Sequence, residues 1–260
     1  LGVLHRKSHA IGVKESLGLS AFYIAIGLGF GGIILWWMGA QAATEYLTGF
    51  VVEKSLAMDN IFVIAMIFSY FAIPAQYQHR VLVYGILGVL ILRGIMIAAG
   101  AAIVTEFSWV LYIFAAFLVL TGIKMLFTAE KKHDVSKSRA VQFMNKHLKM
   151  TKELHGEKFF VRQPDAAGRV RTFVTPLFGA LIMVELADLI FAVDSIPAIF
   201  AITTDPYIVL TSNVFAILGL RALYFALAAM VDRFVYLKYA LAAVLIFIGS
   251  KIFVADMLGL

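Results

Sequence analysis

Apolar residues run through this chain in long blocks, separated by short polar stretches and one long one. The blocks fall at about Leu19 to Met38, Glu45 to Ala72, Val81 to Val104, Trp109 to Phe127, Phe173 to Ile202, Tyr207 to Val231 and Tyr236 to Met257. Each is long enough to cross roughly 30 Å of hydrocarbon at about 1.5 Å per residue. The pattern predicts an all-α polytopic membrane protein with about seven transmembrane helices. Between Ala129 and Thr172 the apolar signal disappears and 16 charged residues take its place. A solvated linker is expected there, with a short surface helix over Val135 to Leu154. The chain then divides into a basic N-terminal segment and first span (1–44), three spans (45–128), the hydrophilic loop (129–172) and three further spans (173–260).

The polar stretches differ in charge, and that difference orients the spans. Segments 1–17, 73–80, 129–172 and 232–238 carry Lys or Arg, whereas 39–44, 105–108, 203–206 and the end after Lys251 carry none. Cytoplasmic loops are enriched in these residues, so the first set is expected in the cytoplasm. The expected location is a plasma membrane, most simply a bacterial inner membrane.

Composition adds exclusions. With 62% hydrophobic and 15% charged residues and a mean hydropathy of +0.92, too little polar surface exists to coat a soluble globule. No Cys is present, so disulfides and thiolate metal sites are excluded for these residues. All six histidines, His5, His9, His79, His133, His147 and His155, fall in polar segments, which argues against haem ligation inside the membrane. The net charge of +6 does not point to nucleic acid, because 11 of the 22 Lys and Arg lie between Glu130 and Thr172, as in a cytoplasmic loop. The ten methionines are spread through the chain and read as packing. The first residue is Leu1 and no charged-then-apolar signal segment follows, so the chain reads as a piece of a longer one.

Acids inside the apolar blocks carry the candidate chemistry. The fifth block holds Glu185, Asp188 and Asp194 within ELADLIFAVDSIPA, and the second holds Glu53, Lys54, Asp59 and Asn60 within EKSLAMDN. A charge at the centre of a spanning helix costs on the order of 2.5 to 3.5 kcal/mol on insertion scales, so these groups need partners, water or a cation. Structural ion pairing with Arg93 and Arg221 is the simplest account, but two arginines do not neutralise five acids. Lys124 and Lys251 sit near helix ends and are expected to snorkel to the interface, and Lys54 to do so or to pair locally. A negative site is left for a divalent cation or for protons. Carboxylate and amide oxygens without Cys or buried His favour Mn²⁺, Mg²⁺ or Ca²⁺ over Zn²⁺ or copper, and the residues alone do not choose among the three.

The acids also mark an internal repeat. Glu53, Asp59 and Asn60 align with Asp188, Asp194 and Ser195 at an offset of 135. Leu92-Arg93 aligns with Leu220-Arg221 at 128, and Gly122-Ile123-Lys124 with Gly249-Ser250-Lys251 at 127. Each copy is a three-helix unit, and three being odd, the second copy enters the membrane from the opposite side. Such inverted repeats place transporter sites near the bilayer midplane. Six residues on a regular helix is a turn of about 240°, so Asp194 does not share a face with Asp188 unless the helix bends. Pro197 is expected to break it beside Asp194 and free backbone carbonyls as ligands. Phe62 stands at the matching place in the first copy.

With EKSLAMDN and ELADLIFAVDSIPA, and with LRG at Leu92 to Gly94, LGLRALYF at Leu218 to Phe225 and GSKIF at Gly249 to Phe253, the sequence resembles the TerC family of integral membrane proteins, within the LysE-like transporter group. The resemblance covers nearly all of the chain. It implies export of Mn²⁺ from the cytoplasm, with an older link to tellurite resistance, and members often have a further span at each end. Carried over residue by residue, it marks Glu53, Asp59, Asn60, Glu185, Asp188, Asp194 and Ser195 as site residues. The expected mechanism has Glu53, Asp59, Asp188 and Asp194 coordinating the ion between the repeats and releasing it on protonation, an Mn²⁺/H⁺ exchange. Glu185, opposite Phe50 in the repeat, is a further ligand or a proton carrier. Arg93, Arg221 and Lys54 are the charge-compensating residues, the arginines either holding the acids when no metal is bound or locking helices together. Expected partners are the metal ion, protons and lipid, with room for a homo-oligomer. A membrane-embedded metal-dependent hydrolase of a lipid pyrophosphate is the alternative, although no nucleophile setting or phosphate cradle accompanies the acids. An aspartyl protease lacks its motifs, and a non-transporting metal sensor differs in having no flux.

Overall fold

A single residue joins the first two helices. In the computed structural model, which describes residues 13–127, 141–144, 148–164, 169–227 and 237–258, α1 (Val13–Met38) and α2 (Ala40–Tyr70) are separated only by Gly39. Its φ of 90° is open to glycine and strained for residues with a Cβ. Pro74 stands directly before α3 (Ala75–Glu106), and α4 (Val110–Phe127) follows after three residues. Beyond the loop come a hairpin, β1 (Phe160–Pro164) and β2 (Val170–Val174), then α5 (Pro176–Phe200), α6 (Pro206–Leu218), α7 (Leu220–Leu227) and α8 (Leu237–Leu258). Pro176 and Pro206 occupy first-turn positions, where a missing N–H costs nothing. Asp205 caps α6 by accepting from the backbone N–H of Tyr207 at 2.8 Å.

The protein is thus an all-α polytopic membrane protein with one small hairpin. α1, α3, α4 and α5 are long and apolar enough to cross a bilayer, and α6 and α8 contribute shorter apolar stretches. α2 is 31 residues long, and Glu45, Glu53, Lys54 and Asp59 lower its apolar character. Three helix pairs run along one another: α4 with α8, α2 with α6, and α3 with α5, while α1 lies against α2 and α7. The α4–α8 contact is close because glycine permits it. A Cβ at Gly122 would lie 2.9 Å from the Ala242 carbonyl, and one at Gly249 would lie 2.7 Å from the Ala115 carbonyl.

Three expectations are corrected. Pro197 does not break α5, which stays helical to Phe200. The proline sits one turn from the end, so a single backbone bond is lost. Its last turn is buried, with Ile196, Ile199 and Phe200 packed on Ile97, Ala101 and Val104 of α3. The break falls instead at Gly219, which divides the sixth span into α6 and α7. There the Lys54 ammonium donates to the Ala216 carbonyl at 2.9 Å, one of the carbonyls a helix end leaves without a partner. A Cβ at Gly219 would come within 2.7 Å of that nitrogen.

The loop between α4 and α5 is not simply a linker. Its described residues fold against the helix ends: Val141, Met144, Leu148, Met150, Leu154 and Phe159 join the core formed by α2, α3, α5 and α7. Arg80 at the start of α3 pairs with Glu157 at 3.1 Å and lies over the rings of Tyr84 and Phe159. Of the surface helix expected over Val135 to Leu154, 141–144 is helical, 148–154 is not, and the remainder lies outside the described residues.

Candidate functional site

Three helices bring their charged residues to one buried point. Arg93, near the middle of α3, is 2% exposed, Glu53 of α2 is fully buried and Asp188 of α5 is 7% exposed. The guanidinium donates through Nε and Nη2 to the two Asp188 oxygens, each at 2.8 Å, a side-on two-point grip. Nη1 donates to Glu53 Oε1 and, at 3.2 Å, to the Ser195 hydroxyl. The second Glu53 oxygen, Oε2, is buried and has no hydrogen-bond partner. One cation therefore serves two carboxylates, and with both ionised the cluster is negative by one charge.

The regular path of α5 decides which of its acids join. Glu185, Asp188 and Ser195 are spaced three and seven residues apart and share the stripe facing α3. Asp194 is turned away from them by the same geometry and lines a cavity of about 280 Å³ between α5, α4 and α8. Asn60, Arg93, Ser195, Thr121 and Lys124 line it too, with Leu56, Phe191 and Leu245 among its apolar walls. Thr121 and Lys124 come from the last two turns of α4, and Leu241 and Leu245 from the first turns of α8. The cavity therefore runs from the middle of the bundle toward the end where α4 stops and α8 starts. Toward the other end, α3 and α5 are sealed by apolar side chains, with the Phe200 ring so near Gly100 that a Cβ there would lie 2.8 Å from it.

Glu185 sits apart from Arg93. Its carboxyl lies on the face of α3 left bare by Gly85 and Gly88, and a Cβ at Gly88 would overlap it. Its Oε2 is buried and without a hydrogen-bond partner. Of the expected site residues, Glu53, Asp188 and Ser195 thus meet at Arg93, Asn60 and Asp194 line the adjoining cavity, and Glu185 occupies its own niche. The side chains of Asp59 and Arg221 lie outside the described residues. Among the described residues, no three acids or histidines converge in a ready-made metal cage. Lys54 is directed to the α6 carbonyl end rather than to the Arg93 cluster.

Sequence reasoning missed two residues. Lys124 was expected at the interface, yet it shares the cavity with Asp194; the repeat that pairs Gly122-x-Lys124 with Gly249-x-Lys251 was the available signal. Asn213, on α6, is 1% exposed with its amide nitrogen unpartnered. A lone amide within TSNVFAIL carries no signal that would single it out.

Comparison with known proteins agrees with the motifs. The sequence model described as "Integral membrane protein TerC family" matches residues 38–259, the whole region holding Arg93 and the acids. The chain belongs to the TerC family. It is 51% identical over 254 residues to an uncharacterized membrane protein of Rickettsia bellii (strain RML369-C), covering 98% of this chain and 82% of that one. It is 48% identical over 260 residues to an Escherichia coli (strain K12) protein provisionally named membrane-bound redox modulator Alx, covering 96% of this chain and 79% of the relative. No solved structure matches it.

Proposed function

We propose that this TerC-family protein is a secondary transporter that exports a divalent metal cation, Mn²⁺ in the first place, from the cytoplasm of a bacterial cell in exchange for protons. The observation that carries the reading is the Arg93 cluster: two acids from different helices, held by one arginine at the centre of a membrane bundle, beside a cavity lined by a further acid, Asp194. A buried arrangement of this kind is costly in a membrane and marks ion or proton pathways. Its oxygens are hard donors, which suits Mn²⁺, Mg²⁺ or Ca²⁺, and the preference for Mn²⁺ rests on the family resemblance.

In this reading a cation arriving through the cavity meets Asp194, Asn60 and Ser195 first. Arg93 then yields Asp188 and Glu53 to the ion, so that arginine and metal compete for the same oxygens. Proton binding to the acids on the far side releases the ion outward. The Lys and Arg of the loops support a cytoplasmic position for the cavity mouth, with the apolar seal around Phe200 on the opposite side, as a cytoplasm-facing state requires.

The inverted repeat belongs to the same proposal. Exchanging α2, α3 and α4 with α5, α6–α7 and α8 turns the α3–α5 contact into the α2–α6 contact and maps α4–α8 onto itself. The paired glycines agree, Gly122 meeting Ala242 and Gly249 meeting Ala115, positions that correspond at the offset of 127. This reciprocity supports two copies rocking about a central site. Within these 260 residues a redox role of the kind in the relative's name would find no thiol, since they contain no Cys.

Cellular Mn²⁺ under Mn²⁺ stress tests the reading, comparing an empty vector, this protein and Asp194→Asn at matched membrane levels. Lower Mn²⁺ with the intact protein, lost in the variant, is the expected result. Equal Mn²⁺ in all three removes Mn²⁺ export.

A further inference from the structure

The hairpin ahead of α5 has two faces of different kinds. Val161 pairs with Phe173 and Gln163 with Arg171, and this face turns toward the folded loop, where the Gln163 amide meets His155 Nε2 at 2.9 Å. The other face carries Phe160, Arg162 and Pro164 opposite Val174, Thr172 and Val170. It is open, with Phe160 51% and Val170 70% exposed and Arg162 between them exposed as well. Large apolar side chains exposed around a cation on a small sheet have a use when something covers them.

We propose that this face is a lipid-contacting paddle that binds the anionic phospholipid headgroups of the membrane the protein spans. Three observations fix the occupant. First, position: β2 ends at Val174 and the membrane-spanning α5 begins at Pro176. The Phe160 ring lies 4.6 Å from that of Phe178 in the first turn of α5, so the face starts at the level where the bilayer starts. Second, charge: residues 158–174 hold four cations, Lys158, Arg162, Arg169 and Arg171, against the single acid Asp165, and all four are exposed, with Arg162 on this face and Arg171 on the opposite one. Third, chemistry: apolar side chains flanking an arginine suit the boundary where acyl chains meet phosphates, the long side chain bridging the two. Since Arg80–Glu157 and Phe159 fasten the same loop to α3, lipid binding here would hold the starts of α3 and α5 in register with the bilayer surface. The inference rests on the chain spanning a membrane and not on which ion it moves.

The absence of Cys in these 260 residues makes the test direct. Val170→Cys, and separately Thr172→Cys on the same face, carry a nitroxide spin label in nanodiscs holding one copy of the protein. Lys152→Cys, exposed on the folded loop outside the hairpin, is the reference site. In discs containing phosphatidylglycerol, labels at 170 and 172 should collide with oxygen in preference to a water-soluble nickel chelate, while 152 shows the reverse. Replacing phosphatidylglycerol with phosphatidylcholine, or adding Arg162→Gln, should move the balance between lipid-contacting and water-exposed label roughly five-fold toward water, the worth of about one interfacial cation. Labels at 170 and 172 as open to nickel as 152 in every lipid would overturn the proposal. So would shielding from both reagents that appears only in discs with two copies, which would make the face a protein interface.

Discussion

Arg93 holds Asp188 by two hydrogen bonds and Glu53 by one, so its removal leaves two buried acids facing each other with only Ser195 nearby. Breaking a buried charge pair from one side costs about 3 to 5 kcal/mol. Arg93→Gln is therefore expected to lower the melting temperature of the purified protein, and millimolar Mn²⁺ to restore part of the loss by occupying the freed oxygens. Thermal unfolding in detergent with and without Mn²⁺ measures both; stability unchanged by the substitution would contradict the cluster. Glu185 makes a different prediction, because its niche exists only while Gly88 lacks a side chain. Gly88→Ala should reduce ion flux as far as Glu185→Gln does, whereas Gly94→Ala, where a Cβ meets nothing within 4 Å, should leave flux intact. Lys54→Met removes the donor to the Ala216 carbonyl and should cost about 1 to 3 kcal/mol of stability.

At the scale of elements, the α4–α8 contact depends on glycine facing backbone. Gly122→Leu or Gly249→Leu should each destabilise the bundle by about 1 to 3 kcal/mol or more, read as a lower melting temperature, since a backbone carbonyl does not yield as a side chain does. The helices themselves are legible in the sequence: the apolar runs mark each long helix, with starts up to six residues late because the polar first turns of α1, α2 and α3 carry no hydropathy signal. What lay beyond hydropathy was less visible. Pro197 looked like a breaker, but one turn from a helix end, in a packed interface, it removes too little to matter. Gly219 looked like any other membrane glycine, and its role comes from Lys54, distant in sequence and close only once α2 and α6 pack. The strands FVRQP and VRTFV are too short and mixed for alternation to stand out from a polar loop. For the site, the six-residue spacing already sets Asp194 off the face of Asp188 on a regular helix, and Arg93 is legible as a partner of the acids. That it takes Glu53 and Asp188 together, leaving Asp194 to the cavity with Lys124, depends on how α2, α3 and α5 cross.

The whole molecule combines a cavity that runs from its centre to one end, an apolar seal toward the other, and a loop whose described residues cap α2, α3, α5 and α7. In the proposed transport cycle the seal around Gly100 and Phe200 opens as the cavity beside Lys124 closes, with Arg93 exchanging places with the ion in between. Mn²⁺ flux into proteoliposomes made with the purified protein, set beside the same protein carrying Asp188→Asn, tests this account most directly. It predicts saturable Mn²⁺ movement that falls by at least about ten-fold in the variant, the effect of roughly 1.4 kcal/mol or more at the site. Proteoliposomes that move no Mn²⁺ with the intact protein, or that move it equally fast without the Asp188 carboxylate, would contradict it.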